Sequence, residues 1–382
     1  MKTHMPLKIL VLVIIVYVAC ISCKKDDEGQ LPVPDPTLSE KIQSALDNAI
    51  ADYNGKGVSL AVLLPDGEIV KCASGISHAN VKVNTDMLFS AGSITKMFTA
   101  TTIMQYMEEG LLSLDDSLHQ WFPAYDNIDS TINLRQLLNH TSGIYEITQN
   151  DAFWQLVFSQ PDSILEKEEL IMEYTLEPHF EKGTGWNYCN TGYIILRMLV
   201  EDLSGKSIAS EYRSRLIDHS NLENTFTYLN EELPSNTAHG WFHLDGDNVY
   251  DEIPPENLKS FYSAAGGGIF CTAEDLALWA NKLFIEKSVV SQSSLDQMLT
   301  MHSPCNEEMV ESYGLGIYEF NPNLFNGHKI IGHGGDPIGY AAGCFYLPDY
   351  NVCIGIMDNT EDGNVMWVSN EVVDLIIEYL EK

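Results

Sequence analysis

A serine hydroxyl attacks a carbonyl only when a base lies within hydrogen-bond reach of it. Ser93 and Lys96 meet that need, in the run Phe89-Ser90-Ala91-Gly92-Ser93-Ile94-Thr95-Lys96-Met97-Phe98, if the segment is helical. A three-residue spacing then puts both side chains on one helix face, a single turn apart. Met97, Phe98, Ile103, Met104 and Met107 recur at helical spacing, and Gly110 reads as the stop signal. Ser93 would stand at the helix N-terminus, where free N–H groups and the dipole favour a developing oxyanion. The pair alone is a weak signal, since a chain of 382 residues carries roughly one S-x-x-K by chance. A solvated lysine beside a helix-starting serine is the plainer interpretation until partners are found.

Two partners follow in chain order. Tyr188-Cys189-Asn190 supplies Y-x-N, and His333-Gly334-Gly335 supplies H-x-G just after the apolar pair Ile330-Ile331. Serine acyl-transferases with S-x-x-K carry S-D-N and K-T-G in the corresponding places. The chain thereby resembles the class C β-lactamase and low-molecular-weight D-alanyl-D-alanine peptidase family, with its esterase and D-aminopeptidase relatives. Further matching segments are Gly110–Asp116, Leu134–Gly143, Ala264–Gly268, Tyr313–Gly316 and Gly332–Gly335, so the resemblance spans about residues 39 to 382.

The resemblance implies a mechanism. Ser93 attacks the carbonyl carbon, and its proton passes to Lys96, to a Tyr188 phenolate, or to both together. A phenol titrates near pH 10, so Tyr188 serves as base only if cations lower it; Lys96 is one such cation and a protonated His333 would be another. Asn190 bridges Lys96 and the substrate amide. The oxyanion hole is the N–H of Ser93 with that of Asp336, and Gly334 and Gly335 let substrate lie along the strand. Read singly, Tyr188 is an aromatic at a seam, His333 a core-edge histidine and the glycine pair a turn; together they favour catalysis. His140, far in sequence from these groups, reads as a turn-holding residue.

These residues need elements to carry them. Ser39 to Tyr53 is an amphipathic helix, and Val58–Leu64 and Ile69–Ala73 are strands joined at Pro65-Asp66-Gly67. A mainly helical section runs to about residue 230. Strand-like runs return at Ile330–His333, Ala341–Tyr346 and Val352–Met357, before a closing helix from Glu371 to Leu380. Strands at both ends with helices between them predict an α+β fold, an antiparallel sheet assembled from the two termini plus a helical subdomain. The family resemblance implies five strands flanked by helices.

Charge narrows the partners. The balance of 21 Lys+Arg against 54 Asp+Glu gives −33, a surface that repels phosphate backbones and argues against nucleic acid. Its plain meaning is solubility outside the cytosol. Lys2 and Lys8 precede an apolar stretch, Ile9 to Ile21, too short to span a membrane. The stretch ends at Cys20-Ile21-Ser22-Cys23, followed by Lys24-Lys25-Asp26-Asp27-Glu28. This resembles a bacterial lipoprotein signal with Cys23 as the lipidated first residue of the mature chain, although Cys20 stands where leucine is usual. It implies a signal at 1–22, a lipidated flexible tether at 23–38 and a hydrolase domain at 39–382. The destination it implies is an exported, lipid-anchored protein at the outer membrane, on its periplasmic or surface face.

Six cysteines remain, Cys72, Cys189, Cys271, Cys305, Cys344 and Cys353. Outside the cytosol an even count permits disulfides, yet most lie in apolar runs suited to buried thiols. Cys344 and Cys353, flanking a hairpin sequence around Leu347–Asn351, are the one pair worth testing for a bridge. No histidine spacing suggests a metal, His239 and His243 falling in loop-like sequence, and no cofactor is expected.

Three departures bear on substrate. H-x-G replaces K-T-G, and a neutral histidine offers a carboxylate less than lysine does. Gly334 lacks the hydroxyl that a threonine would supply there. All four arginines, Arg135, Arg197, Arg213 and Arg215, precede residue 216, with Lys259, just before the Gly-rich stretch, as a candidate substitute. These features lower carboxypeptidase and β-lactamase activity and raise amidase or esterase activity. The expectation is a serine hydrolase acting on an amide or ester through an acyl-Ser93 intermediate, first on a cell-wall peptide or D-amino-acid substrate. A small-acyl esterase follows, and a non-hydrolytic peptidoglycan- or β-lactam-binding sensor is the alternative of another class.

Overall fold

Gly57–Leu63 carries buried residues on both faces, the mark of a strand held between two layers. In the computed structural model it is β1 of an antiparallel sheet. The other strands, in chain order, are Ile69–His78 (β2), Val81–Lys82 (β3), Val310–Tyr313 (β4), Tyr318–Phe320 (β5), Ile331–Gly335 (β6), Ala341–Leu347 (β7) and Val352–Asp358 (β8). Their order is β3-β2-β1-β8-β7-β6-β5-β4. The structure describes residues 36–382 other than 245–248, 265–267, 306 and 362–364. The signal sequence, the tether as far as residue 35 and Cys23 lie outside the described residues.

The two ends of the chain meet at the sheet centre, where β1 pairs with β8 in a register that sets Leu60 opposite Ile356. Alternation sorts the side chains. Val58, Leu60 and Val62, with Ile354 and Ile356, face Leu38–Tyr53 (α1) and the C-terminal helix Val365–Leu380 through Ile42, Leu46, Val372 and Ile376. Ala61, Leu63, Cys353 and Met357 belong to the opposite core, shared with Thr95–Glu108 (α2) and Ala273–Ala280. Each fully buried Leu, Ile or Val contributes about 1.5–3 kcal/mol, so both layers hold the closure of the chain on itself. Gly355 lets the helix Ala273–Ala280 rest on the sheet, since a Cβ there would fall 2.0 Å from the Ala273 carbonyl oxygen.

The expected α+β architecture is present, and Thr37–Lys382 forms one compact unit. Three details differ from expectation. The five expected strands are β2, β1, β8, β7 and β6, but the sheet has eight. The additional strands β3, β5 and β4 are two, three and four residues long, too short for alternation to declare them. Thr37 caps α1 through a capping box with Glu40, so the helix begins at Leu38, inside the expected tether. His239 and His243 flank a short hairpin strand, Gly240–Phe242, and His239 pairs with Glu252 at 2.8 Å.

The hairpin between β7 and β8 forms, but its register sets Cys344 opposite Gly355 and Cys353 opposite Tyr346. The two thiols are therefore two positions out of opposition, and all six cysteines named above are free. Among the described residues no helix is long and apolar enough to cross a membrane.

Candidate active site

The serine turn is shaped by close backbone contact. Gly92–Ile94 forms one 3-10 turn that runs directly into α2, and α2 ends at Glu108 with Gly110 in the left-handed region (φ 73°). Gly92 also has positive φ (50°), and a Cβ on it would approach Pro337 Cδ to 2.6 Å and the Asp336 amide nitrogen to 3.2 Å. Across the seam, a Cβ on Gly335 would fall 2.1 Å from the Ala91 carbonyl oxygen and 3.3 Å from the Ser93 nitrogen. The end of β6 thus lies against the serine turn backbone to backbone, which brings the Ser93 and Asp336 amide nitrogens to the same seam. Gly334 has a different setting: the nearest atom to a Cβ there is the Ala342 oxygen at 3.9 Å.

Lys96 is buried, and its ammonium donates to Ser93 Oγ at 3.1 Å and to Asn190 Oδ1 at 2.7 Å. It also lies over the Tyr188 ring, 4.7 Å from the centroid. Desolvation pushes its pKa down to about 7, helped by Arg197 and opposed by Glu146 and Glu307. Asn190 opens the helix Asn190–Ser204 (α3) and donates through Nδ2 to Glu146 Oε1 at 2.9 Å. Its backbone N–H donates to the other Glu146 oxygen. A protonated lysine can only donate and a carboxylate only accept, so these neighbours fix which way the Asn190 amide faces. Ser93, Lys96, Asn190 and Glu146 form one continuous polar line.

Sequence reasoning missed Glu146. It is 4% exposed and accepts four hydrogen bonds, two from Asn190 and two from Thr148. The available signal was a carboxylate in the apolar stretch Ile144-Tyr145-Glu146-Ile147, directly after the matching segment that ends at Gly143.

Tyr188 is half-buried, while its hydroxyl is fully enclosed and makes no well-formed hydrogen bond. Burial raises its pKa well above the phenol range, with the adjoining Ser93 hydroxyl opposing and Glu307 adding to the rise. His333 does not supply the cation once expected. It is fully buried, and burial together with Lys96 pushes its pKa down to about 3. Its Nδ1 lies 2.5 Å from the Gly334 carbonyl, which can only accept, so the proton is on Nδ1 and Nε2 accepts from Tyr313 Oη at 3.1 Å. The neutral ring packs 4.2 Å from the Tyr318 centroid, in the aromatic wall beside Tyr188.

His140 lies beneath the Y-x-N segment. Its Nδ1 accepts from the Cys189 N–H at 3.0 Å, and its ring is 4.5 Å from that of Tyr188. It holds Tyr188 and Asn190 in place besides closing its own turn, where its φ is +63°. Burial, Lys96 and His333 all lower its pKa well below the usual histidine value, so the ring is neutral. Glu307, also unforeseen in a polar loop, is half-buried and interacts electrostatically with Lys96, Tyr188 and Tyr318. Among the described residues no group of His, Cys, Asp or Glu is placed to hold a metal ion.

Comparison with known proteins bears on this arrangement. The family model for Beta-lactamase matches residues 42–377. The chain belongs to the beta-lactamase family. Within reach of that family, penicillin-binding protein 4 of Amycolatopsis lactamdurans is 30% identical over 248 residues, covering 62% of each chain. A D-aminopeptidase of Brucella anthropi is 24% identical over 323 residues, 82% of this chain and 58% of its own. This chain therefore spans about three fifths of the length of these curated relatives. A D-stereospecific amidohydrolase from Streptomyces sp. superposes with a TM-score of 0.78 at 26% identity, covering 89% of this chain and 98% of the other. The family membership agrees with the resemblance carried by the Ser93, Tyr188 and His333 segments, and the superposition agrees with the α+β fold.

Proposed function

We propose that this protein is a serine amidase or peptidase that forms an acyl-enzyme on Ser93, with Lys96 as the general base. The observation that carries the proposal is the line Ser93–Lys96–Asn190–Glu146. A buried ammonium with a pKa of about 7 is neutral in roughly half of the molecules at neutral pH and sits 3.1 Å from the hydroxyl it must deprotonate. Tyr188, its pKa raised, stays protonated and acts only as a relay: Lys96, carrying the proton taken from Ser93, gives it to the Tyr188 oxygen as the Tyr188 proton passes to the leaving group, so no free phenolate forms. The Ser93 and Asp336 amides receive the oxyanion. His333 is a positioning residue that fixes the aromatic wall, and His140 positions the Tyr188–Asn190 segment.

Two features point to an amino-acid amide with a free amino group. Glu307, without an ion-pair partner among the described residues, offers a carboxylate to an α-ammonium. A groove of about 300 Å³, lined by Trp154, Phe158, Phe242, Pro337 and Ile338 with Asp336 and Glu361 also in its lining, offers an apolar wall to a side chain. D-stereochemistry is supported by the D-aminopeptidase and D-stereospecific amidohydrolase relatives. We also propose export and lipidation at Cys23, supported by the Lys2–Lys8 charges, the apolar run and the tether that follows.

The test is hydrolysis of D- and L-phenylalanine amide, with intact mass recorded after benzylpenicillin treatment, for wild type and Ser93→Ala. Turnover of the D-amide that Ser93→Ala abolishes supports the proposal. Equal turnover in Ser93→Ala refutes the nucleophile. Absence of turnover, with penicillin or peptidoglycan fragments still bound, transfers the site to a sensor.

A further inference from the structure

Arg197 lies on α3, seven residues beyond Asn190 and two turns along the same helix. It is 7% exposed, and neither Nε nor Nη1 has a hydrogen-bond partner. A buried guanidinium calls for a paired or hydrogen-bonded counter-group. It faces a cavity of about 160 Å³. Thr95, Thr227 and Tyr262 line the same cavity, each almost wholly buried; the Thr95 and Thr227 hydroxyls are unpartnered, and that of Tyr262, beside Ser90, makes no well-formed hydrogen bond. Buried polar groups without a well-formed partner are rare in native proteins, and four around one space share a cause.

The carboxylates nearby do not supply it. Glu201 lines the cavity but is engaged by Lys167 at 2.5 Å and by the Ile208 N–H at 3.1 Å. Glu166 is exposed at the rim. Tyr212, also in the lining, is hydrogen-bonded to Thr99 at 2.6 Å. Water can satisfy hydroxyls, but it does not balance a guanidinium charge. We propose that the cavity is an anion site, in which Arg197 pairs with a small oxyanion and Thr95, Thr227 and Tyr262 donate to its remaining oxygens. The shared chemistry is a compact carboxylate, sulfate or phosphate group, for which Arg offers two parallel donors. The space is too small for a peptide.

The site is wired to the serine. Thr95 stands between Ser93 and Lys96 in the chain, and Arg197 is one of the charges acting on Lys96. An anion that neutralises Arg197 makes Lys96 hold its proton more tightly, so it moves the acid limb of the rate profile to higher pH.

Binding is tested first without turnover, on the intact chain carrying Ser93→Ala. Sodium sulfate, phosphate and acetate are titrated against sodium chloride at equal ionic strength, by calorimetry and by the melting temperature. Saturable binding and a raised melting temperature are expected for an oxyanion. Arg197→Met should weaken that binding by roughly ten- to a hundredfold, the loss of a charge-assisted hydrogen-bonding partner. The same variant should melt no lower than its parent in chloride, because it removes an unpaired buried charge. Should Arg197→Met fail to fold, Thr227→Val, which keeps every charge, is expected to weaken binding as well. No difference between oxyanions and chloride, or equal oxyanion binding in the variants, overturns the proposal.

The source is then separated with D-alanine amide and the amide of D-glutamic acid on the wild-type chain. If the site takes a free anion, sulfate shifts the acid limb for both substrates. If it takes a substrate carboxylate, sulfate competes with the acidic substrate alone. Because binding is read in Ser93→Ala, its outcome stands apart from whether the amidase proposal holds.

Discussion

Glu146→Gln tests the polar line behind the serine. Hydrogen bonds of 2.7 and 2.9 Å in series across the Asn190 amide put the Glu146 carboxylate about 7 Å from Lys96 Nζ, where a charge pair at an effective dielectric of about 20 is worth about 2.4 kcal/mol. That energy corresponds to about 1.7 pK units. The carboxylate favours the charged lysine, so removing its charge lowers the Lys96 pKa from about 7 by one to two units, to about 5 or 6. Glutamine keeps one acceptor oxygen, enough for the Asn190 Nδ2 and Thr148 donors, and loses the bond from the Asn190 backbone N–H, so the position of the acid limb reads the charge and the height of the plateau reads the lost positioning. The base must be neutral to act, so activity rises as pH climbs through its pKa. The acid limb of kcat/KM for a D-amino-acid amide should therefore move from near pH 7 down toward pH 5–6, while the plateau falls because glutamine holds Asn190 less firmly. An acid limb that stays in place, or moves up, refutes Lys96 as the base whose titration limits the rate.

The two motif glycines should behave differently. Gly335→Ala brings a Cβ to 2.1 Å from the Ala91 oxygen and should prise β6 from the serine turn, with loss of turnover exceeding any fall in melting temperature. Gly334→Ala, with nothing nearer than 3.9 Å, should fold and turn over much as wild type, and equal damage from both would show that the strand edge does not shape the oxyanion crevice. Metabolic labelling with palmitate, followed by recovery of the protein from membranes, should succeed for wild type and fail for Cys23→Ser; equal labelling of both excludes that cysteine as the anchor.

Much of the fold could be read from pattern. The strands β1, β7 and β8 are continuous apolar runs because helices cover both faces of the sheet, and that leaves a plain trace in sequence. The strands β4 and β5, at one end of the sheet, leave almost none. They are short, and pairing along the sheet, not their own propensity, makes them strands. The cysteine pair shows the same limit: composition allowed a bridge, whereas one hairpin register decided against it.

What the sequence determined by itself was the inventory of the site. A serine three residues before a lysine shares its helix face whatever surrounds it, and the Y-x-N and H-x-G segments carried the family. Which of these groups holds a proton was decided only by the tertiary structure. The pKa of Lys96 falls because packing removes water from an ammonium, and that of Tyr188 rises because the same packing removes water from a phenolate. His333, which sequence allowed as a cation, is neutral for the reason that lowers Lys96. Glu146, Glu307 and Arg197 act on the site from distant stretches of chain, and Coulomb interaction depends on separation in space and on dielectric, neither of which is written in residue order.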